Sequence, residues 1–252
     1  MRPIRTLALI LLVTPALQAF TFSLPSGFDL HFGEVNFPVE GGLAQAPVEP
    51  EATDEPAAEL DAEGVTALIQ AYYEGIADFV ADFEQSYTSA ALGETSTSTG
   101  RVHVKLPGMM RWDYVTPTQR FFISDGSDLW IYEPDPGQYY TQSLADSELP
   151  TALSFLMGEG DLARDFEIEL VEVGDDTATL ELTPRESEGQ YQRLRFVVST
   201  DDGAVRETTI YDPVGNTNHF VFTDREENVG YEDTDFAFAP PQGAVQIQSP
   251  NL

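Results

Sequence analysis

The residues able to do chemistry are few, and their spacing does not form a reactive centre. There are three histidines, His31, His103 and His219, no cysteine, and forty-three carboxylates. The histidines lie too far apart in sequence for metal-ligand spacing and read as strand-surface residues. Neither G-x-S-x-G nor H-E-x-x-H occurs, so the common serine-hydrolase and zinc-protease signatures are missing. With acids this abundant, an adjacent pair such as Asp175 and Asp176 reads as a solvated turn. Asp125 and Asp128 lack the spacing of a calcium loop. The sequence therefore assigns no catalytic residue, no metal and no cofactor. What remains is apolar: Met109, Met110, Trp112, Phe121, Phe122, Trp130, Tyr132, Tyr139 and Tyr140 fall in one block, Gly100 to Leu144. Aromatic residues in strands pack a core. Methionine and aromatic side chains also line sites that adapt to flexible hydrocarbon.

That block reads as four or five short strands. Leu129 and Ile131 point one way and Trp130 and Tyr132 the other, unlike a half-buried strand, which alternates apolar with polar. A sheet apolar on both faces needs cover on both faces, or it encloses something apolar. Upstream, Asp61 caps a helix, with Glu63 and Gly64 near its first turn. Val65, Leu68, Ile69, Tyr72 and Tyr73 share one face of it. Phe79, Ala81, Phe83, Gln85 and Tyr87 then alternate as in a strand. A polar turn, Ala91–Gly100, leads into Val102, Val104 and Leu106, completing a hairpin. Strands follow over Met110–Tyr114, Phe121–Ser124, Leu129–Tyr132 and Tyr139–Leu144. Leu149–Asp165 reads as a helix–Gly–helix insert, with Leu153, Leu156 and Met157 at helical spacing and a break at Gly158 and Gly160. Alternation resumes over Phe166–Val173, Ala178–Thr183, Leu194–Val198, Val205–Tyr211, His219–Phe222 and Phe236–Phe238. Hairpin-length connections predict an α+β fold with an antiparallel sheet of about ten strands, curled and plugged by its helices.

Met1–Ala19 has a basic start, a short apolar run and a small residue at a cleavage point, the pattern of an export signal. Phe20–Leu60 is Pro-, Ala- and acid-rich in its second half and reads as an extended, flexible extension. Residues 61–252 form the folded domain. The net charge of −31 repels phosphate backbones and excludes nucleic acid as a natural partner. Without cysteine the chain stands on its core, with no disulfide and no acylated N-terminal cysteine.

Two motifs in register resemble the LolA family of periplasmic lipoprotein carriers. The first runs Val104–Pro107, Met109-Met110, Trp112, Pro117, Ser124-Asp125-Gly126, then Leu129-Trp130-Ile131-Tyr132 with Pro134. The second is Phe236-Ala237-Phe238-Ala239-Pro240-Pro241-Gln242-Gly243. The resemblance covers about Val65 to Gln248. It implies an unclosed, curved β-barrel under a helical lid, with a hydrophobic cavity for acyl chains. The cavity would be lined by Leu68, Tyr72, Phe83, Leu106, Met110, Trp112, Phe121, Trp130, Tyr132, Leu153, Leu156 and Met157, with Gly158 and Gly160 as lid hinge. It implies acylated lipoproteins as cargo, an inner-membrane lipoprotein-releasing ABC transporter as donor, an outer-membrane LolB-like acceptor, and a monomeric, non-enzymatic carrier in the periplasm. The missing cysteine favours the soluble carrier over the lipidated acceptor. The family places an Arg before the Pro of the first motif, where it latches the lid. This chain has Leu106 there, which predicts a lid held by apolar contact. Met110 stands where an aromatic residue is usual. The alternative is a secreted acidic β module with a filled core that transfers no lipid.

Overall fold

The computed structural model describes residues 60–143, 161–186 and 191–248. The first element among the described residues is a helix, α1 (Ala62–Gly75), whose N-cap is Asp61; the Gly64 N–H donates to Asp61 Oδ1 at 2.8 Å. Twelve strands follow: β1 (Asp78–Ser89), β2 (Glu94–Lys105), β3 (Met109–Thr116), β4 (Arg120–Asp125), β5 (Asp128–Glu133), β6 (Gln138–Ser143), β7 (Phe166–Val173), β8 (Thr177–Pro184), β9 (Arg193–Ser199), β10 (Val205–Tyr211), β11 (Thr217–Glu227) and β12 (Val245–Gln246). They form one sheet in the order β12-β6-β5-β4-β3-β2-β1-β11-β10-β9-β8-β7. Every pairing is antiparallel except β12 with β6. The sheet is two meanders joined where β1 pairs with β11. Its outermost strands, β7 and β12, do not meet, so the barrel is unclosed.

Several boundaries depart from expectation for physical reasons. The polar stretch Ala91–Gly100 is mostly strand. Only residues 90–93 turn, and Glu94–Thr99 pairs with the polar outer half of β1, where the Thr88 and Thr95 hydroxyls lie 2.8 Å apart. Serine and threonine there reflect exposure, not a turn. Phe236–Phe238 is not a strand: Asp233–Phe236 is a 3-10 turn, and Phe238 follows it in irregular chain. The insert's leading residues, including Leu153, Leu156, Met157, Gly158 and Gly160, lie outside the described residues, as do Met1–Glu59. After the insert, Leu162–Asp165 forms one helical turn.

The sheet's two faces are shielded by different parts of the chain. On the concave face, Val65, Ile69, Tyr72 and Tyr73 of α1 join one core with Phe79, Val104, Leu129, Leu182, Phe196 and Phe222. The curl is visible in ring contacts. Trp112 on β3 and Phe220 on β11 stand three strands apart, about 14 Å on a flat sheet, yet their ring centroids lie 5.5 Å apart. Gly100 makes room between them. A Cβ there would meet the Asp113 carbonyl oxygen at 2.2 Å and the Phe83 ring at 2.7 Å.

The convex face of β2–β6 is covered by the chain after β11. Phe238 packs against Trp130, Tyr132 and Tyr139, with centroids 6.2, 5.8 and 5.5 Å away. Phe236 is buried against Tyr231, and the Tyr231 hydroxyl bonds to His103 Nδ1 at 2.7 Å. Burial holds the His103 ring below the usual histidine range, so it is neutral at neutral pH. Lys105 pairs with Asp233, and β12 closes on the edge of β6.

The route to this face passes through Asp78, which is buried at the start of β1. Its carboxylate accepts the backbone N–H groups of Val229, Gly230 and Tyr231 at 2.5 to 3.2 Å. Its carbonyl accepts from the Asn228 N–H at 2.8 Å. Asn228 (φ 52) and Gly230 (φ 90) are left-handed, as the sharp change of direction requires.

Gly100→Ala is expected to lower stability by roughly 1–3 kcal/mol, the usual range for overpacking a filled site, because a backbone carbonyl cannot yield as a flexible side chain can. Chemical denaturation of the variant against the parent measures it; equal midpoints would show that β2 shifts freely.

Candidate functional site

The concave face carries the apolar residues in successive cross-strand rows. Strand register aligns Met110, Ser124 and Leu129 in one row, then Trp112, Phe122, Ile131 and Tyr140 in the next. Beyond them Phe83, Gly100, Tyr114 and Arg120 continue across β1, β2, β3 and β4. The Phe83 ring fills the space over Gly100 and meets Trp112 and Tyr114 edge-on, with centroids 5.0 and 4.9 Å away. Phe220 and Phe222 stack at 6.3 Å and close the cluster from β11. Burial pushes the phenol of Tyr114 well above its ordinary range, so it stays neutral among these rings.

Of the expected lining residues, Phe83, Met110 and Trp112 meet on this face, with Tyr72 and the half-buried Leu106 in or against the same core. Leu68 is half-buried on α1, and its carbonyl backs the turn between β9 and β10. A Cβ at Gly203 (φ +85) would meet that oxygen at 2.3 Å, so the turn needs glycine twice over. Phe121, Trp130 and Tyr132 are not brought to this face. Phe121 pairs across with Tyr132 and Trp130 lies opposite Ile123, which places all three on the convex side under Phe238 and Arg111. Strand alternation is the reason: one residue along a strand changes faces.

Sequence reasoning passed over Tyr114, Arg120, Phe220, Phe222, Arg225 and Glu227, and placed Phe122 in the apolar block without assigning it to this face. The alternation of Phe220 with Phe222 was a usable signal. Arg225 gave none. A bulge opposite Val80–Asp82 inserts one residue into β11, and Asp224 there has φ 49. The extra residue shifts the phase of the strand and turns Arg225 inward.

Arg225 secures α1. Its guanidinium donates to the hydroxyls of Tyr72 and Tyr73 at 3.2 and 3.4 Å and to the Val205 carbonyl at 2.8 Å. It lies over the Phe79 ring at 4.7 Å. The Tyr72 hydroxyl in turn donates to Glu227 Oε1. Burial, foremost, raises the Tyr72 phenol far above its usual range, so it remains a donor at any ordinary pH. Polar contacts join the apolar ones at the C-terminal end of this helix: two tyrosines, an arginine and a glutamate meet there.

The remaining candidate chemistry resolves into local structure. Asp125 Oδ1 accepts the N–H groups of Ser127 and Asp128, both at 2.9 Å, and His219 bonds Glu207 at 2.9 Å. Among the described residues, no three His, Cys, Asp or Glu side chains come together as a metal site.

The sheet is curved and unclosed, and a fastened helix packs on its apolar concave face. The family model described as outer membrane lipoprotein carrier protein LolA matches residues 74–239. The chain belongs to the LolA family. Relatives named outer-membrane lipoprotein carrier protein include one from Chromobacterium violaceum, 29% identical over 70% of this chain and 84% of its own length. Another, from Nitrosomonas europaea, is 27% identical over 68% of this chain and 82% of its own. The crystal structure of a LolA superfamily protein from Nitrosomonas europaea superposes with a TM-score of 0.42 at 14% identity, over 71% of this chain and 98% of that one. The first motif feeds both faces, with Met110, Trp112, Leu129 and Ile131 on the concave side and Trp130 and Tyr132 on the convex, where Phe238 of the second motif packs on them.

Arg225→Met keeps the stem and removes the donors. It is expected to speed amide hydrogen exchange in the C-terminal half of α1 by about tenfold or more, the loss of one charged hydrogen bond being worth roughly 1.5–3 kcal/mol. Exchange in β8 and β9 should be little changed; a uniform increase across the sheet would indicate global destabilisation and no fastening role.

Proposed function

We propose that the protein carries acylated lipoproteins across the periplasm from the inner to the outer membrane, holding their acyl chains against the concave face. Family membership supports lipoprotein carriage. The observation that carries the reading to this face is its run of large apolar side chains, Phe83, Met110, Trp112, Phe122, Phe220 and Phe222, in or against one core with helix α1. In this reading the cargo comes from an inner-membrane lipoprotein-releasing ABC transporter and passes to an outer-membrane LolB-like acceptor. The carrier is a monomer, exported by Met1–Ala19 and acting by binding alone. Helix α1 and the segment bearing Leu153, Leu156 and Met157 form the cover, with Gly158 and Gly160 as its hinge.

Energetics explain why such a carrier needs both a greasy face and a donor and acceptor. Each buried methylene is worth about 0.8 kcal/mol, so several acyl chains are held far too tightly to escape into water. The same chains are about as well accommodated in a bilayer. Transfer is then a near-balanced exchange between apolar surroundings, and small differences in affinity set its direction. The acidic surface adds repulsion from anionic lipid headgroups, which keeps the apolar face from adhering to membranes at random.

Adjacent residues on opposite faces give the test. Phe122→Asp places a carboxylate among the concave rings and should weaken binding of a fluorescent fatty-acid probe by more than tenfold. Phe121→Asp, on the convex side, should leave it nearly unchanged. Equal effects, or a parent protein that binds no probe, would favour the acidic module with a filled core.

Leu106 bears on the cover separately. It is half-buried against the core, and its N–H donates to the Ala77 carbonyl at 2.9 Å. Leu106→Arg should add a second polar hold on the cover and slow probe release in stopped-flow exchange. An unchanged release rate would count against Leu106 as the place where the cover is held.

A further inference from the structure

The rim of the concave face holds a donor with nothing to donate to. Arg120 lies opposite Tyr114 across β3 and β4, on the same side as Phe122. Its Nη2 pairs with Glu133 Oε1 at 3.0 Å, and Glu133 Oε2 also accepts from Gln138 Nε2 at 3.0 Å. The Nε of Arg120 is buried and has no hydrogen-bond partner. A buried N–H left unpaired costs roughly 1–3 kcal/mol, so an acceptor brought to it on the concave side would recover that cost. The neighbouring apolar row, Trp112, Phe122, Ile131 and Tyr140, runs directly alongside.

The charge around Arg120 narrows what that acceptor is. Glu133 already neutralises the guanidinium, so the unfilled Nε–H is a hydrogen-bond donor in a locally neutral pair. A free carboxylate or phosphate entering here would meet Glu133 as well as Arg120 and gain little. A neutral carbonyl oxygen gains a charge-assisted bond without that repulsion. Resting on the carriage reading above, we infer that Arg120 Nε binds an ester or amide carbonyl of an acylated ligand, at the point where its hydrocarbon chain passes onto the aromatic rows. The face then reads not only hydrocarbon but the linkage that attaches it. Arg120 marks where the chain ends and the head begins.

The experiment compares three probes of one chain length on the full-length protein: a polyene fatty-acid methyl ester, its free acid and a hydrocarbon polyene without oxygen. The parent is expected to favour the ester over the hydrocarbon by about five- to tenfold, the worth of one such bond. Arg120→Met should abolish that preference, so that the ratio of ester to hydrocarbon affinity falls to about one. Arg120→Lys, which keeps the charge beside Glu133 but lacks Nε, should abolish it too and guards against misfolding of the first variant. Hydrocarbon and ester binding equally in parent and both variants would overturn the inference while leaving carriage standing. A parent that binds none of the three would overturn carriage itself.

The ester can belong to an acylated polypeptide or to a glycerolipid. Displacement of the ester probe by a diacylglyceryl lipopeptide but not by phosphatidylcholine vesicles assigns the donor to the first source. Displacement by both assigns it to fatty esters in general. Displacement by neither counts against the inference.

Discussion

Hydrophobic side chains on both pleats of β3 to β6 impose the constraint from which the rest of this structure follows. A sheet has two faces about 10 Å from whatever packs on them, and neither can be left to water when Leu129 and Ile131 occupy one side and Trp130 and Tyr132 the other. The chain covers the convex face with its own C-terminal segment. To reach it the backbone must leave β11 and turn across the start of β1, and Asp78 makes that crossing possible. A buried carboxylate is tolerable only when its oxygens are bonded, and the crossing loop supplies the N–H groups of Val229, Gly230 and Tyr231. The loop gains fixed partners and the carboxylate gains donors. Phe236 and Phe238 are thereby delivered to the convex side, and the concave side is left to α1.

In so acidic a chain the placement of the few cations is informative. Lys105 pairs with Asp233 at the convex strap, Arg120 with Glu133 at the concave rim, and Arg225 with the tyrosines of α1. Each sits where two parts of the fold meet. Exposed ion pairs such as Arg101 with Asp82 and Arg206 with Asp176 contribute little individually. Arg225 differs because it is wedged between the Phe79 ring and the Tyr72 hydroxyl, where water cannot replace its partners.

Much of the fold was legible because alternation and turn residues are local. The Asp61 cap, the apolar stripe of α1 and most strand positions follow from residue type alone. The errors arise where residue type reports exposure and not conformation. Glu94–Thr99 is polar because its half of β2 is solvated, yet it is strand; Phe236–Phe238 alternates like a strand but serves as a plug. The concave site was half legible. Phe83, Met110 and Trp112 share one face, as parity within single strands allows. Phe121, Trp130 and Tyr132 have equal bulk and opposite parity, and bulk alone does not reveal which face a helix covers. Arg225 was hidden by a one-residue bulge, a feature that only the paired strand defines.

The polar fastening of α1 bears on how a cover of this kind can move. Stripping Arg225 from Tyr72, Tyr73 and the Val205 carbonyl in an apolar setting costs several kcal/mol. The Asp61 end is held differently, by the burial of Val65 and Ile69 in the core and the close approach of Leu68 to Gly203. Displacement that keeps the tyrosines in place and pivots the rest of the helix is therefore cheaper than lifting the helix whole. A guest that wedges under α1 must offset whatever contacts that pivot breaks. At about 0.8 kcal/mol per methylene, some half-dozen buried methylenes match the loss of several kcal/mol, which a long acyl chain supplies and a short one does not. On the proposed carriage, a helix fastened over this face would favour long hydrocarbon without any side chain measuring it, because only a long chain offsets the contacts it displaces.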